Sequence, residues 1–475
     1  MIKRSRVYTR RAILAGTASL AAANTIPVGV AAQPAPPRDL IARPGRQLLL
    51  EPGQPDTRIW GYDGQVPGPE LRVKQGQEVA VNLVNQLPQA TTIHWHGIRI
   101  DNDMDGVAGL TQPAVKPNER FTYRFVPPDA GTYWYHPHNR TWEQLARGLQ
   151  GALIVEEQRP PQIDRDITLI VDDWRIGRDG QIHEQSFGSM RDISHAGRLG
   201  NILTLNAHDR LDLPVIANQR LRLRLINTSN ARVVGIIFEQ HAPIVFALDG
   251  QPVAAPFAPA QNMVFLAPAQ RADIILDCNN EVGSKTPIRV DTGREKLELG
   301  QLTYHPARRA RAKVLAGIPM LAPNPMPAEL DLANAVTVDL EMAGGAMAPF
   351  DRAIYKGRET EIRDLVQKHQ KAWAFNGIVG MPDKPLARFE RGKTIAIKLT
   401  NRTLWPHAMH FHGHHVREIS HSAREPRPYW RDTVFIQREQ EITVAFQAHN
   451  PGKWMLHCHM LAHQAGGMST WYEVG

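Results

Sequence analysis

The sequence predicts an all-β chain of three β-sandwich domains, and three observations carry that prediction. Short alternating apolar and polar runs, broken by Gly, Pro, Asn and Asp, dominate the chain, which is strand periodicity. One run occurs three times: residues 76–85 (GQEVAVNLVN), 218–227 (NQRLRLRLIN) and 392–401 (GKTIAIKLTN) align, and each ends on Asn. The length of 475 residues fits about three domains at roughly 150 residues each, and the spacing between copies is too long for a solenoid. The strict alternation in Leu221-Arg-Leu-Arg-Leu-Ile226 predicts a half-buried strand. The expected layout is a leader over 1–32, domains over 39–159, 162–305 and 332–475, and a linker over 306–331 around the Pro-rich stretch 319–327. A joint is expected near Pro160-Pro161.

Composition narrows the function classes. Two Cys exclude a disulfide framework, and 42% hydrophobic residues exclude a disordered chain. Residues 1–32 read as an export signal of the twin-arginine type: Arg10-Arg11 precede an Ala-rich apolar stretch, and Val30-Ala31-Ala32 offers small residues for cleavage. Five positive charges of the +8 net charge lie in that leader, so the mature chain has little of the basic character of a nucleic-acid binder. Asn24 and Pro27 interrupt the apolar stretch, which disfavours a membrane anchor, and no other run approaches spanning length. A bacterial, periplasmic or secreted monomer is expected. It would have no stable membrane insertion and would meet the Tat export machinery only during secretion.

The outer two copies of the repeat carry histidines that the middle copy lacks. Eighteen residues beyond the start of each outer copy stand His94-Trp95-His96-Gly97 and His410-Phe411-His412-Gly413, whereas the middle copy has Ile236-Ile237-Phe238. The outer copies match again at 130–138 (AGTYWYHPH) and 451–459 (PGKWMLHCH). Residues two apart on a strand share a face, so His94/His96, His136/His138, His410/His412 and His457/His459 each project two imidazoles to one side. Eight imidazoles can then converge if the outer domains pack together. Cys458, between two His, points to the opposite face. With His407, His463 and a longer-range thioether from Met468 it completes a His2Cys set with an axial Met, the donor set of electron-transfer copper.

In order and spacing, these four segments resemble the multicopper oxidase family of the laccase and bilirubin-oxidase type, in its three-domain form. The resemblance spans nearly the whole mature chain. It implies three cupredoxin-like Greek-key sandwich or barrel domains and four copper ions: one type 1, one type 2 and two type 3. By position, Cys458, His407, His463 and Met468 match the type 1 ligands, and His94 and His410 the type 2 ligands. His96, His136 and His459 match one type 3 site; His138, His412 and His457 match the other. The implied reaction takes single electrons from a small reducing substrate at type 1 copper, through Cys458, and reduces O2 to water at the trinuclear cluster.

Other positions refine this expectation. Asp105, eleven residues after His94, resembles the family's acidic residue near the type 2 copper and is assigned a proton-relay role. Many relatives place Glu directly after the second type 1 His; here it is Gln464, a neutral amide. Asp432 lies in a stretch resembling one near the type 1 region and is read as a structural carboxylate. Trp405 either flanks the type 1 site or packs in the core. His414 and His415 are not assigned to the site, the remaining single His (among them His195) are read as structural or exposed, and Cys278 as a buried free thiol. A Met-rich insert is lacking; only Met342 and Met347 are loosely grouped. Phenols and aromatic amines are therefore favoured as donors, with a cuprous oxidase or a copper-free envelope scaffold of the same fold as alternatives.

Overall fold

The repeated run is a strand in each of its three places: Val79–Asn85, Arg220–Asn227 and Thr394–Asn401. Each pairs in parallel with an earlier strand, Arg38–Gln47, Arg165–Trp174 or Val336–Gly344. Each also pairs antiparallel with a later one, Arg120–Phe125, Arg271–Asp277 or Glu441–Gln447. These are the centres of sheets of four, six and nine strands, and a second sheet of four or five strands accompanies each. This is a computed structural model that describes residues 36–475 apart from 51, 52 and 349. The predicted leader lies outside the described residues.

Three apolar cores fill the three sheet pairs. Val79, Val81 and Leu83 meet Trp95, Tyr133 and Leu153. Leu221, Leu223 and Leu225 meet Ile236, Ile288 and Leu302. Ile395, Ile397 and Leu399 meet Phe411, Trp454 and Leu456. Each such aliphatic side chain is fully buried or nearly so, worth about 1.5–3 kcal/mol apiece. The alternation in the repeat therefore encodes one sheet face against its partner.

The shared terminal Asn has a structural cause. Asn85, Asn227 and Asn401 are buried, and each makes the same bonds. Nδ2 donates at 2.8 Å to a carbonyl in the following loop, from Gln89, Arg232 or Trp405. It also donates to a carbonyl across the fold, from Val115, Leu266 or Gln437, at 2.8, 3.0 and 2.9 Å. Oδ1 accepts from the N–H two residues on, at 2.9, 3.1 and 2.9 Å. A buried amide with its donors and acceptor satisfied locks each strand exit into one path.

The half-buried expectation for Leu221–Ile226 does not hold. All of Arg220–Asn227 is buried, and its arginine face is covered by acids rather than water. Arg222 bonds Glu157 at 2.7 Å and Asp273 at 2.6 Å. Arg224 bonds Asp166 at 2.6 Å and Thr132 Oγ1 at 2.9 Å. The polar face is thus the seam between the first and second thirds of the chain. Strand Lys296–Arg309 overlaps the start of the expected linker. Within that linker Asn324 is buried and bonds Ala130, Gly250 and Gln251. Among the described residues, no helix is long and apolar enough to cross a membrane.

Replacing Arg222 by Leu removes the cation between two buried carboxylates, so a loss of about 3 kcal/mol in stability is expected. Calorimetric unfolding measures it; an unchanged midpoint would show that the seam does not need the charge.

Candidate metal centre

Sheet register brings the predicted histidines together. In the first third His94 lies opposite His136 across antiparallel strands. In the last third His410 lies opposite His457, and Met409 opposite Cys458. The Gly that follows His94–His96 and the one that follows His410–His412 are required by space and by their positive φ. A Cβ on Gly97 (φ +87°) would sit 2.3 Å from Arg271 Nη2, and one on Gly413 (φ +67°) 2.4 Å from the Trp454 ring.

Across the two thirds, ligand atoms gather in sets lying within 4.8 Å of one another: His94/His96/His410, His96/His136/His459, His138/His412/His457 and His407/Cys458/His463. All of these side chains are buried. Met468 is fully buried in the same core as Cys458, and its carbonyl accepts from the Cys458 N–H at 3.1 Å. Cys458 Sγ stands 3.7 Å from His407 Nδ1 and 3.8 Å from His463 Nδ1. A cavity of about 1080 Å³ elsewhere is lined by none of these residues.

The outer nitrogens of the rings are anchored. His94 Nδ1 donates to the Asp105 carbonyl at 2.8 Å, His410 Nδ1 to the Asp432 carbonyl at 3.0 Å, and His136 Nδ1 to the Pro137 carbonyl at 2.9 Å. His457 Nδ1 donates to the Cys458 carbonyl at 3.0 Å, and His412 Nδ1 to the Asp105 carboxylate at 2.9 Å. His96 Nε2 donates to Asp432 at 3.2 Å. The Thr403 hydroxyl donates to Asn401 at 2.7 Å and so accepts from His407 Nε2 at 2.8 Å. His463 Nε2 donates to the His195 carbonyl at 2.6 Å.

With those protons turned outward, the inner nitrogens face one another as lone pairs. His94 and His410 Nε2 are 3.4 Å apart, His412 and His457 Nε2 3.2 Å, His96 Nδ1 and His136 Nε2 3.4 Å, and His407 and His463 Nδ1 3.1 Å. Two acceptors so placed repel unless a cation lies between them. Burial, reinforced by neighbouring rings, pushes His96, His136, His138, His412, His457 and His459 well below the usual imidazole range, and His463 falls to about 4. Protonation therefore does not supply that cation near neutral pH. Burial pushes the Cys458 thiol up to about 12, so it stays protonated near neutral pH unless a metal binds the sulfur and displaces the proton. The donor set fits metal ions that accept imidazole and thiolate.

Asp105 is where the sequence reading places it, buried, with its carboxylate bonded to His412 and 3.2 Å from His94 Nδ1. Asp432 overturns its expectation as a structural carboxylate near the type 1 region. It is buried against His96 and His410 and gripped by Arg271 at 2.6 and 2.9 Å. Burial pushes its carboxyl up, but Arg271 and the hydrogen bonds from His410 and His96 outweigh this and hold it well below the usual range. Sequence reasoning missed Arg271 altogether, since it lies in the third without predicted metal ligands. His415 sits 3.7 Å from Asp432 and His414 Nδ1 3.0 Å from the Tyr472 hydroxyl, so both brace the site. His195, read as structural or exposed, also reaches the site, through its carbonyl. Trp405 is half-buried, packing both on the third core and 5.5 Å from the His195 ring. Cys278 is buried and free, as expected.

Three family models, each described as multicopper oxidase, match residues 47–160, 131–298 and 357–475. The chain belongs to the multicopper oxidase family. It is similar to the crystal structure of a multi-copper oxidase from Pseudomonas thermotolerans, with 32% identity, TM-score 0.79, and coverage of 92% of this chain and 98% of that one. It is also similar to that of Lac15 from a marine microbial metagenome, at 36% identity and TM-score 0.74, covering 92% and 100%. The multicopper oxidase MmcO of Mycobacterium tuberculosis is 29% identical, over 89% of this chain and 84% of its own length. The chain is a copper-binding oxidoreductase that couples oxidation of a reducing substrate to reduction of O2.

Replacing Asp432 by Asn removes the charge that grips Arg271 at 2.6 Å and weakens the acceptor that orients His96, while the backbone carbonyl still holds His410. Loss of such an orienting carboxylate is expected to weaken metal retention about 10- to 100-fold. Competition against a chelator measures it, and retention equal to the parent would remove Asp432 from the site.

Proposed function

We propose that the chain is a laccase-like oxidase of phenols and aromatic amines holding four copper ions. Cys458, His407, His463 and Met468 would hold the type 1 ion, and His94 and His410 the type 2 ion. One type 3 ion falls to His96, His136 and His459, the other to His138, His412 and His457. The observation that carries the reading is the tripeptide 457–459. The Sγ of Cys458 faces His407 and His463, while His457 and His459 on the other face reach His412 at 3.2 Å and His136 at 3.5 Å. Copper bound in these sets supplies one-electron redox chemistry at the first and O2 reduction at the other three.

The protein's own groups divide the remaining work. Arg271 keeps Asp432 ionised, so Asp432 orients His96 and His410 and is a poor proton source. Asp105 has no arginine partner among the described residues and bonds directly to His412, which suits it to pass protons inward. Gln464 has no acidic proton to contribute. Near the electron-entry side Met342 is buried in the core and Met347 is 81% exposed, so thioethers do not gather there into a Cu(I) cradle. That supports organic donors over cuprous ion.

We also read residues 39–159, 162–305 and 332–475 as the three domains, with 306–331 linking the last two. Residues 1–32, read as a twin-arginine leader, support a periplasmic or secreted enzyme, and we read it as a monomer.

Replacing Cys458 by Ser is expected to abolish the intense blue absorption and turnover with every donor. Metal analysis of the parent should return four copper ions per chain. O2 uptake with a methoxyphenol, an aromatic diamine, bilirubin and Cu(I) ranks the donors. Turnover surviving in C458S would overturn the electron-entry assignment, and turnover confined to Cu(I) would make the enzyme a cuprous oxidase.

A further inference from the structure

The antiparallel strands Arg38–Gln47 and Thr57–Tyr62 of the first third meet the loop 177–185 of the second. Thr57 Oγ1 donates to the Gly180 carbonyl at 2.8 Å, the Arg58 N–H to Gln181 Oε1 at 2.9 Å, and Gln181 Nε2 to the Asp56 carbonyl at 3.1 Å. These bonds fix two walls of an open groove of about 1080 Å³ along the seam, and no predicted metal ligand lines it.

Its walls carry more cations than acids. Arg46, Arg58, Arg147 and Arg178 line it, against Asp179 and Glu184. Arg147 is matched, by Glu143 at 3.0 Å and Glu184 at 2.8 Å. That hydrogen bond, with the charges of Arg147 and Arg58 behind it, holds the Glu184 carboxyl below its usual range. Asp179 accepts from the Gln181 N–H at 3.1 Å within its own turn. Arg46 and Arg58 stand directly opposite each other across the strand pair, where like charges are destabilising. Among the described residues, neither Arg46 nor Arg178 has an ion pair or a side-chain hydrogen bond. The Arg58 side chain bonds Gln181, a neutral amide, at 3.2 Å. One exposed arginine needs no partner, but three around a single groove, two of them in register, repel unless an anion lies among them. The floor between them is flat and apolar: the Arg147 guanidinium covers Trp60 at 4.4 Å, and Pro44 lies opposite Trp60 on the neighbouring strand.

We propose that this groove binds an acidic oligosaccharide, an oligouronate, with its carboxylates on Arg46, Arg58 and Arg178 and its sugar rings over Trp60 and Pro44. The guanidinium fork matches a carboxylate in shape as well as charge. Cavities of about 300–1,000 Å³ take a drug-sized ligand, so this groove has room for several linked rings. A compact anion without rings would satisfy the arginines and leave the apolar floor unused. The groove shares no residue with the histidine and cysteine sets, so it tethers the enzyme to an acidic polysaccharide whichever donor is oxidised.

Calorimetric titration of the copper-loaded enzyme with tetragalacturonate, its neutral methyl ester and tripolyphosphate reads the site apart from turnover. Tetragalacturonate should bind more tightly than either of the others. Replacing Arg46 and Arg178 together by Gln should weaken its binding about tenfold or more, the loss of charge-assisted pairs, and Lys at both positions should restore part of it. Blue absorption and O2 uptake with the parent's best donor should stay at the parent level in both variants. Should the double Gln variant lose its blue absorption, Arg178→Gln alone, in a turn outside any strand, is expected to give a smaller loss of binding. No binding by the parent, unchanged binding in the Gln variants, or equal binding of the methyl ester would overturn the site. Tripolyphosphate bound as tightly as the uronate would overturn the sugar ligand.

Discussion

Unprotonated imidazole nitrogens held 3.1 to 3.5 Å apart in a dry interior are the constraint that the surrounding structure is arranged to meet. Left to themselves, such rings would rotate, take up protons or admit water. Burial disfavours protonation of His96, His136, His138, His407, His410, His412, His457, His459 and His463, and an anchor on the outer nitrogen of each of eight rings blocks rotation. Most of those anchors are backbone carbonyls, from Asp105, Pro137, His195, Asp432 and Cys458, which cannot swing away as side chains can. The strand pairing that sets these carbonyls is therefore part of the metal chemistry. Sandwich cores, Asn-locked strand exits and the glycines Gly97 and Gly413 after two of the H-x-H runs all serve to keep that pairing in register.

The third of the chain without predicted metal ligands belongs to the same arrangement. Its strand Arg271–Asp277 begins with a fully buried arginine that clamps Asp432, and Gln270 donates to the Thr433 carbonyl at 2.8 Å. Arg271 also donates to the Thr132 carbonyl at 3.1 Å, on the strand that ends in His136. One guanidinium thus ties a ligand strand of the first third to the carboxylate that aims two ligands, one from the first third and one from the last. The middle copy lost, or never had, imidazoles at Ile236 and Phe238 and uses those positions as core. Its contribution is charge and rigidity from the interior strands Arg220–Asn227 and Arg271–Asp277, whose arginines reach both neighbours.

Period and spacing made most of this legible. Alternation and the thrice-repeated run predict strands, and H-x-H on a strand predicts paired ligands whatever the tertiary details, because side-chain direction follows from backbone geometry alone. What failed to show was anything set by contacts across the thirds. Alternating Arg and Leu reads as a solvent face, since periodicity reports polarity and not what covers it; Asp166, Asp273 and Glu157 cover it here. Asp432 carries no periodic signal, and Arg271 lies 161 residues away from it in sequence. Its one visible trace was the Gly97 after His96, a residue with no side chain where those two groups need the space.

The two cysteines show how far neighbours, rather than burial, decide chemistry. Both are fully buried, and burial pushes both thiols up to about 12. By solvation alone neither would react. Cys278 ends among apolar strands of the second core, its acidity eased by a hydrogen bond with Tyr304 and by Arg165 but not enough to offset burial, and stays a packed thiol. Cys458 has two imidazole nitrogens within 3.8 Å whose own protons are already committed to Thr403 and His195. The same desolvation that keeps a lone thiol protonated strengthens the attraction between a thiolate and a metal cation once the proton is displaced. The difference arises from register: Cys458 lies opposite Met409, two residues beyond His407 on the neighbouring strand, so the thiol and the imidazole meet at one end of the sheet. A shift of one residue would turn the thiol toward the histidine cluster and His457 and His459 away from it, which is why strand pairing, and not cysteine acidity, selects the electron gate.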